Sequence, residues 1–210
     1  METTAESQEV ETFEDIQLET IRMKWVGMRP LIMNNPRSVD PFDEFTIQRK
    51  ILTAKKGKDM TVENLRELDL VSWRAGVYWD DEEGFIIPSA NLERAMQVGA
   101  QKSRKGKECQ ATVMLKGTHA KVHYKGPKHK ADLETDPNFR LRMPMVIDKR
   151  RIMKVRPMIP TGWQIFPEFE FDPTVIDKSS LLTAAHNLGR LIGLGDWRPK
   201  FGRFLVEELP

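Results

Sequence analysis

Cysteine is almost missing from this 210-residue chain. Cys109 is the single one, so no disulfide can form within the chain. Four scattered histidines (His119, His123, His129 and His186) accompany it, and they give no zinc-binding pattern. Because a single thiol is typical of a reducing compartment, we expect a cytoplasmic protein. Because the sequence shows no metal-binding or cofactor-binding pattern, we also expect no metal and no cofactor.

Long apolar runs are also missing. No stretch approaches the roughly 18 apolar residues that cross a bilayer, and the acidic first residues lack the apolar core of a signal peptide. The chain has no P-loop, no dinucleotide-binding glycine pattern and no Ser/His/Asp set in a supported order. The sequence therefore predicts no membrane partner and favours a non-enzymatic role over an enzymatic one.

The composition is that of a folded protein. Hydrophobic residues make up 40% and charged residues 30% of the chain, a balance that argues against disorder. A chain of this length is sufficient for one domain with a substantial core. We predict an acidic leader over 1–16 and a single domain over 17–210.

Charge is distributed unevenly along the chain. The net charge is only +2, yet residues 1–20 contain seven acidic residues and no Lys or Arg. The segment from Glu93 to Arg156 contains 17 basic residues against six acidic ones. A basic segment of this kind indicates binding to a polyanion, with nucleic acid as the first choice; the alternative is that its lysines only keep the protein soluble. When the polyanion is absent, the acidic leader would cover the basic surface.

Hydrophobic periodicity and turn residues predict an α+β fold. Strands are predicted at 16–26, 77–79, 84–87, 111–115, 120–124, 163–171 and 204–206, and helices at 43–56, from 61, from a cap at Ser89, and at 177–192. Two segments are predicted as insertions, a helical one at about 36–84 and a basic, extended excursion at about 126–158. Without them, the order of elements is strand, helix, strand, strand, helix, strand. That order is the modified ferredoxin-like, RRM-like arrangement, an antiparallel sheet with helices on one face and a free face for ligand.

The stretch from Gly193 to Phe204 combines three glycines, one tryptophan and three cations between the last helix and the last strand. Glycine lets backbone amides approach a ligand closely, and cations beside exposed amides suit phosphate groups. The alternative is an ordinary basic turn, because glycine commonly ends helices.

Two motifs resemble the RAMP superfamily, which includes the guide-RNA-binding backbone subunits of CRISPR effector complexes. Ile87-Pro88-Ser89-Ala90-Asn91-Leu92 resembles the entry to the first helix of these proteins. The terminal Gly-x-Gly-x-x-Arg-x-x-x-Gly-Arg-Phe of residues 193–204 resembles their glycine-rich loop. The chain departs from the family in its short length and in Trp197 and Pro199, so a stand-alone relative from a virus or mobile element fits equally well.

The resemblance and the charge pattern together imply sequence-independent binding of single-stranded RNA, or single-stranded DNA, through the phosphate backbone. Repeating copies along the strand, with or without other effector-complex subunits, are implied as well. The candidate nucleic-acid-binding residues are Arg22, Lys24, Arg29, Asn34, Asn35, Lys102, Arg104, Lys105, Lys149, Arg150, Arg151, Lys154, Arg156, Gly193, Gly195, Trp197, Arg198, Lys200 and Arg203. Trp197 has two interpretations, a stacking surface for a base or an anchor of the loop on the core.

Two other functions stay open. The first is a structural or assembly protein that forms homo-oligomers through protein contacts, with Met-Pro junctions in adaptable interfaces. The second is metal-dependent RNA cleavage, as in some RAMP proteins that use an aspartate after the first strand. Asp40 and Asp43 stand at the corresponding place, although Asp-Pro turns and Asp helix starts are common.

Overall fold

The computed structural model of the protein describes residues 17–147 and 150–210 and has a mixed helix and antiparallel-sheet architecture, which confirms the α+β prediction. The predicted acidic leader, Lys149 and the side chain of Arg150 lie outside the described part. Within that part, no helix combines the length and apolar character needed to cross a membrane.

The helices and strands have the following bounds. The helices are α1 (Glu44–Ala54), α2 (Val62–Gly76), α3 (Ser89–Gln101), α4 (Gly106–Thr112), α5 (Lys130–Thr135) and α6 (Lys178–Asn187). The strands are β1 (Glu19–Gly27), β2 (Leu31–Ile32), β3 (Trp79–Asp80), β4 (Gly84–Pro88), β5 (Met114–Leu115), β6 (His119–Lys121), β7 (Arg140–Ile147), β8 (Arg150–Ile159), β9 (Gln164–Ile165), β10 (Glu168–Phe171) and β11 (Phe204–Leu209).

The main sheet has the order β11-β1-β10-β5, with β9 also paired to β1, and each of these pairs is antiparallel. Side chains of β1 alternate between its two faces: Ile21, Met23 and Trp25 are fully buried. Trp25 stacks on Phe204 of β11 with ring centroids 4.5 Å apart. This alternation fixes the register, because a one-residue slip would expose all three core side chains.

Helices α3 and α6 pack against each other and contribute to the same core. Their approach is so close that a Cβ on Gly99 would overlap the carbonyl oxygen of Ala184 and lie 3.1 Å from the Cβ of Leu188. Helices α1, α2 and α6 begin at side-chain caps. Asp43, Thr61 and Asp177 each accept a hydrogen bond from an amide in the first turn of α1, α2 and α6.

The predicted basic excursion contains a long hairpin of β7 and β8 with eight paired positions. The other edge of β8 pairs with β2, directly after β1. Helix α2 packs on β8, where a Cβ on Gly76 would lie 2.9 Å from the Cδ of Pro157. Strand β8 therefore connects the hairpin, the helical insertion and the turn that follows β1.

Three local predictions were wrong. Residues 111 and 112 end helix α4, and β5 keeps only two residues, because Gly106, Cys109 and Val113 are buried at helical spacing. Helix α3 begins at Ser89 after Pro88, and no side-chain cap is present there. The predicted strand at 163–171 is divided into β9 and β10 around Phe166 and Pro167, because proline has no N–H for the ladder.

Candidate nucleic-acid interface

The glycine loop after α6 packs tightly on the segment that follows β1. Gly195 has a φ of 81°, and a Cβ there would overlap the carbonyl oxygen of Ile32 and lie 2.9 Å from the Cδ1 of Leu31. Gly202 has a φ of 72°, and a Cβ there would overlap the carbonyl oxygen of Leu194. Only glycine combines these backbone angles with such close approach.

The amides of this loop donate to the protein itself. Asp196 N–H donates to the Ile32 carbonyl at 2.8 Å, and Gly202 N–H donates to the Pro30 carbonyl at 2.8 Å. Leu194 N–H donates to Gly202 O at 2.8 Å, and Trp197 N–H donates to the carboxylate of Asp196 at 2.9 Å. These four amides are therefore not available to cradle a phosphate, contrary to the expectation for the loop. Its glycines instead hold Asp196 and Arg198 beside β2.

A cluster of three cations lies where β8 meets the helical insertion. Arg49 of α1, together with Lys154 and Arg156 of β8, lines a small hollow that also includes Asn34, Asn35 and Ser72. All three cations are partly buried. Burial lowers the pKa of Lys154 below its usual range, and the neighbouring charges of Arg49 and Arg156 lower it further. A like-charged cluster of this kind would be stabilised by a bound anion.

Within residues 17–147 and 150–210, no carboxylate lies within 4.0 Å of Arg49 or Lys154. Arg156 differs, because its Nε lies 3.3 Å from the Oδ2 of Asp196. This ion pair is partly buried, and it joins the hairpin to the glycine loop. Among the described residues, two cations of the cluster thus have no carboxylate within 4.0 Å, at a place to which α1, β8 and the segment after β2 contribute.

A cavity of about 230 Å³ adjoins this cluster. Its walls come from β2 with the residues that follow it, from α3 and from the glycine loop. Asn34 lines both the cavity and the hollow of the cation cluster. Arg94 of α3 and Arg198 of the loop contribute two further cations.

A broader hollow of about 560 Å³ shares three lining residues with the cavity. Gly195, Asp196 and Arg198 line both spaces, and Trp197 lines the broader one with apolar residues of α3 and the segment after α6. Trp197 is partly buried and lies near Phe201, with ring centroids 6.2 Å apart. The three spaces share lining residues, and we call them together the cationic track. Its charged residues are Arg49, Lys154, Arg156, Arg94, Arg198 and Asp196.

The candidate cations of the open sheet face are paired instead. Nε of Arg22 lies 3.0 Å from Glu168, and Nζ of Lys24 lies 3.2 Å from Glu207. Lys116 also contacts Glu168, at 3.0 Å. Because carboxylates on β10 and β11 offset these charges, this face is a weaker polyanion surface than the cationic track.

The remaining candidates lie outside the track. Lys102, Arg104 and Lys105 follow the end of α3, roughly 12 Å along the helix axis from Arg94 at 1.5 Å per residue. Backbone hydrogen bonds join Arg29 to Arg203, and Nε of Arg203 donates to the carbonyl of Pro199 at 3.0 Å. The exposed Lys200 has its Nζ 5.6 Å from the ring of Phe201. Of the hairpin candidates, Arg151 is exposed and falls on the face of β8 opposite Lys154 and Arg156.

Sequence reasoning missed Arg49 and Arg94. Arg94 follows Asn91 by three residues on α3, a spacing that places both on one side of a helix, so the pattern contained a usable signal. Arg49 has no such signal. Its place depends on how the helical insertion packs against β8, which no local pattern specifies.

The two aspartates considered for cleavage have structural roles. Asp43 caps α1, and its Oδ2 lies 2.6 Å from Nε of Arg37. Burial alone would raise the pKa of Asp43, but hydrogen bonds from Arg37, Thr46 and Phe45 lower it below its usual value. Asp40 accepts a hydrogen bond from the Phe42 amide at 2.9 Å. Among the described residues, no three or more His, Cys, Asp or Glu side chains form a group that could hold a metal ion.

Comparison of the chain with models of known protein families and with curated protein sequences gives no match.

Proposed function

We propose that the protein binds single-stranded nucleic acid, RNA first, through phosphate contacts along the cationic track. The observation that carries this proposal is the cluster of Arg49, Lys154 and Arg156, which joins Arg94 and Arg198 through adjoining hollows. Phosphates would relieve the mutual repulsion of the cluster. Such contacts need no particular base, so the binding is mainly independent of sequence.

The arrangement of the main sheet supports a more specific fold. Helix α3 lies between β1 and β5 in the chain, and α6 lies between β10 and β11. With the order β11-β1-β10-β5, this is consistent with the modified ferredoxin-like, RRM-like arrangement. Together with the two RAMP-like motifs, it supports a single RAMP-like domain over 17–210, whether in a CRISPR-like effector complex or as a phage or mobile-element relative. The free, buried Cys109 is in keeping with a cytoplasmic location.

Repeating copies along one strand are part of the proposal. The helical insertion exposes large apolar side chains: Phe42 is 87% exposed, Val39 82% and Ile51 60%. Contacts between neighbouring copies, or with other subunits, would cover them. The same observation favours the second candidate function, a homo-oligomeric assembly protein without nucleic acid.

Charge reversal in the cluster tests the proposal. Arg49→Glu with Lys154→Glu should weaken binding of a fluorescein-labelled oligouridylate at least tenfold, measured by fluorescence anisotropy in 50 mM salt. The matched control is Lys102→Glu with Arg104→Glu, which changes the same net charge outside the track and should stay within about threefold of wild type. Equal affinities of the two variants, both folded by circular dichroism, would refute the track. Absence of binding by the wild-type protein, with oligomers in sedimentation, would favour the assembly function.

A further inference from the structure

We propose that the cavity of about 230 Å³ between β2, α3 and the glycine loop takes one base of the bound strand. This inference rests on the proposed function and extends it. Phosphate contacts alone give binding without any preference, whereas an occupied base pocket adds a preference for one base at one position.

The size of the cavity suits a single planar ring system. One water takes about 30 Å³ of liquid volume, so the cavity is several times larger than one ordered water requires. It is smaller than the roughly 300–1,000 Å³ typical of sites for drug-sized ligands. A single base with its sugar at the mouth is the part of a strand that matches this volume.

The walls combine apolar surface with hydrogen-bonding groups. Five apolar residues are among those that line the cavity, and each is at most 3% exposed: Leu31, Met33, Ile87, Ala95 and Leu194. Tyr78 adds an aromatic ring, and its hydroxyl donates to the carbonyl of Asn34 at 3.4 Å. An aromatic ring at a cavity wall can stack on one face of a base.

Asn91 and Asn34 give the cavity two side-chain carboxamides. Over the described residues, the carboxamide of Asn91 has no hydrogen-bond partner. A carboxamide presents one acceptor and two donor hydrogens side by side, the pattern with which asparagine reads the edge of a base. Asp196 is already held by Arg156 and by the Trp197 amide, so it is a fixed acceptor at the cavity wall.

The position of the cavity on the track makes base entry possible. The cation cluster lies on one side, through the shared Asn34, and Arg198 lines the other side together with the broader hollow. In this proposal, a strand with phosphates at the cation cluster and at Arg198 passes the mouth of the cavity. One of its bases can then turn inward without any break in the phosphate contacts.

The experiment compares strands with and without bases. Oligoribonucleotides of uridine, adenosine or cytidine, of the shortest length that binds fully, are measured against a strand of the same length that contains only abasic units. We expect at least tenfold tighter binding of one homopolymer than of the abasic strand. In Asn91→Leu, the affinity for that homopolymer should exceed the affinity for the abasic strand by less than threefold. The control Asn138→Leu alters an exposed asparagine away from the cavity and should keep the wild-type ratio of these two affinities.

Two results would overturn the inference while leaving the proposed function in place. The first is wild-type binding of the abasic strand within threefold of every homopolymer. The second is an unchanged ratio in folded Asn91→Leu. If Asn91→Leu does not fold, Asn34→Leu provides the second variant with the same expected result. Failure of the wild-type protein to bind any strand would overturn the inference and the proposed function together.

Discussion

Substitution of Gly195 by alanine tests whether the glycine loop is built for packing on β2. The residue has a φ of 81°, in the left-handed region, where a Cβ costs about 1–2 kcal/mol. The added Cβ would also overlap the Ile32 carbonyl oxygen, which accepts the Asp196 amide. Relief of this overlap requires the loop to move away from β2 and adds about 1–3 kcal/mol, as overpacking does.

The chain offers a matched control for the cost of a Cβ at positive φ alone. Gly117 has a φ of 99°, and a Cβ there would meet no heavy atom within 4 Å. Gly117→Ala should therefore cost only about 1–2 kcal/mol, against about 2–5 kcal/mol for Gly195→Ala. In a protein of this size, each 1 kcal/mol lowers Tm by about 2–4 °C.

Urea unfolding followed by tryptophan fluorescence measures both free energies. Gly195→Ala should also weaken oligouridylate binding, because the displaced loop carries Arg198. Equal losses of stability in the two variants, with unchanged affinity in both, would refute the idea that the loop positions the cationic track by close packing.

Three further predictions concern other parts of the molecule. Gly99→Ala should lower the free energy of unfolding by about 1–3 kcal/mol in urea titrations, since its Cβ would overlap the Ala184 carbonyl between α3 and α6; an unchanged value would contradict that contact. Hydrogen bonds from Lys116 and Arg22 lower the pKa of Glu168 in the folded protein below its ordinary 4.5. The ionised Glu168 therefore stabilises the protein above pH 4.5, and this contribution is lost as the pH falls through the lowered pKa of the folded state. Glu168→Gln should therefore flatten the fall in stability below pH 4.5, and an equally steep fall would count against these contacts. Burial raises the pKa of the Cys109 thiol to about 11. A thiol-specific reagent at pH 8 should therefore react with Cys109 only as the protein unfolds. Rapid reaction of the native protein would contradict the burial of this thiol.

Local signals predicted much of the fold. The alternation of β1 and the helix starts near 43 and 61 depend on neighbours in the chain, and these predictions were confirmed within one to three residues. The signals around 111–115 were misleading, because β-branched residues there favour a strand while burial of Cys109 and Val113 continues a helix. Ser89 has the right residue type for a cap, but α3 already begins at that residue.

The candidate site was less accessible to sequence reasoning. Basic segments could be located, yet whether a cation is free depends on carboxylates from distant strands. Glu168 and Glu207 pair with Arg22 and Lys24 across the main sheet, whereas Lys154 gains Arg49 from the insertion. These contacts join residues more than 100 positions apart, and only the tertiary structure specifies them.

The salt dependence of oligouridylate binding tests the central claim most directly. The cationic track has five cations, of which Arg156 is offset by Asp196. With about 0.7 counterions released per contact on a single strand, four such contacts predict a slope of about −3 in log K against log salt. Lys154→Gln should reduce the slope by about 0.7. A slope near zero, or the same slope in wild type and Lys154→Gln, would contradict phosphate binding along the track.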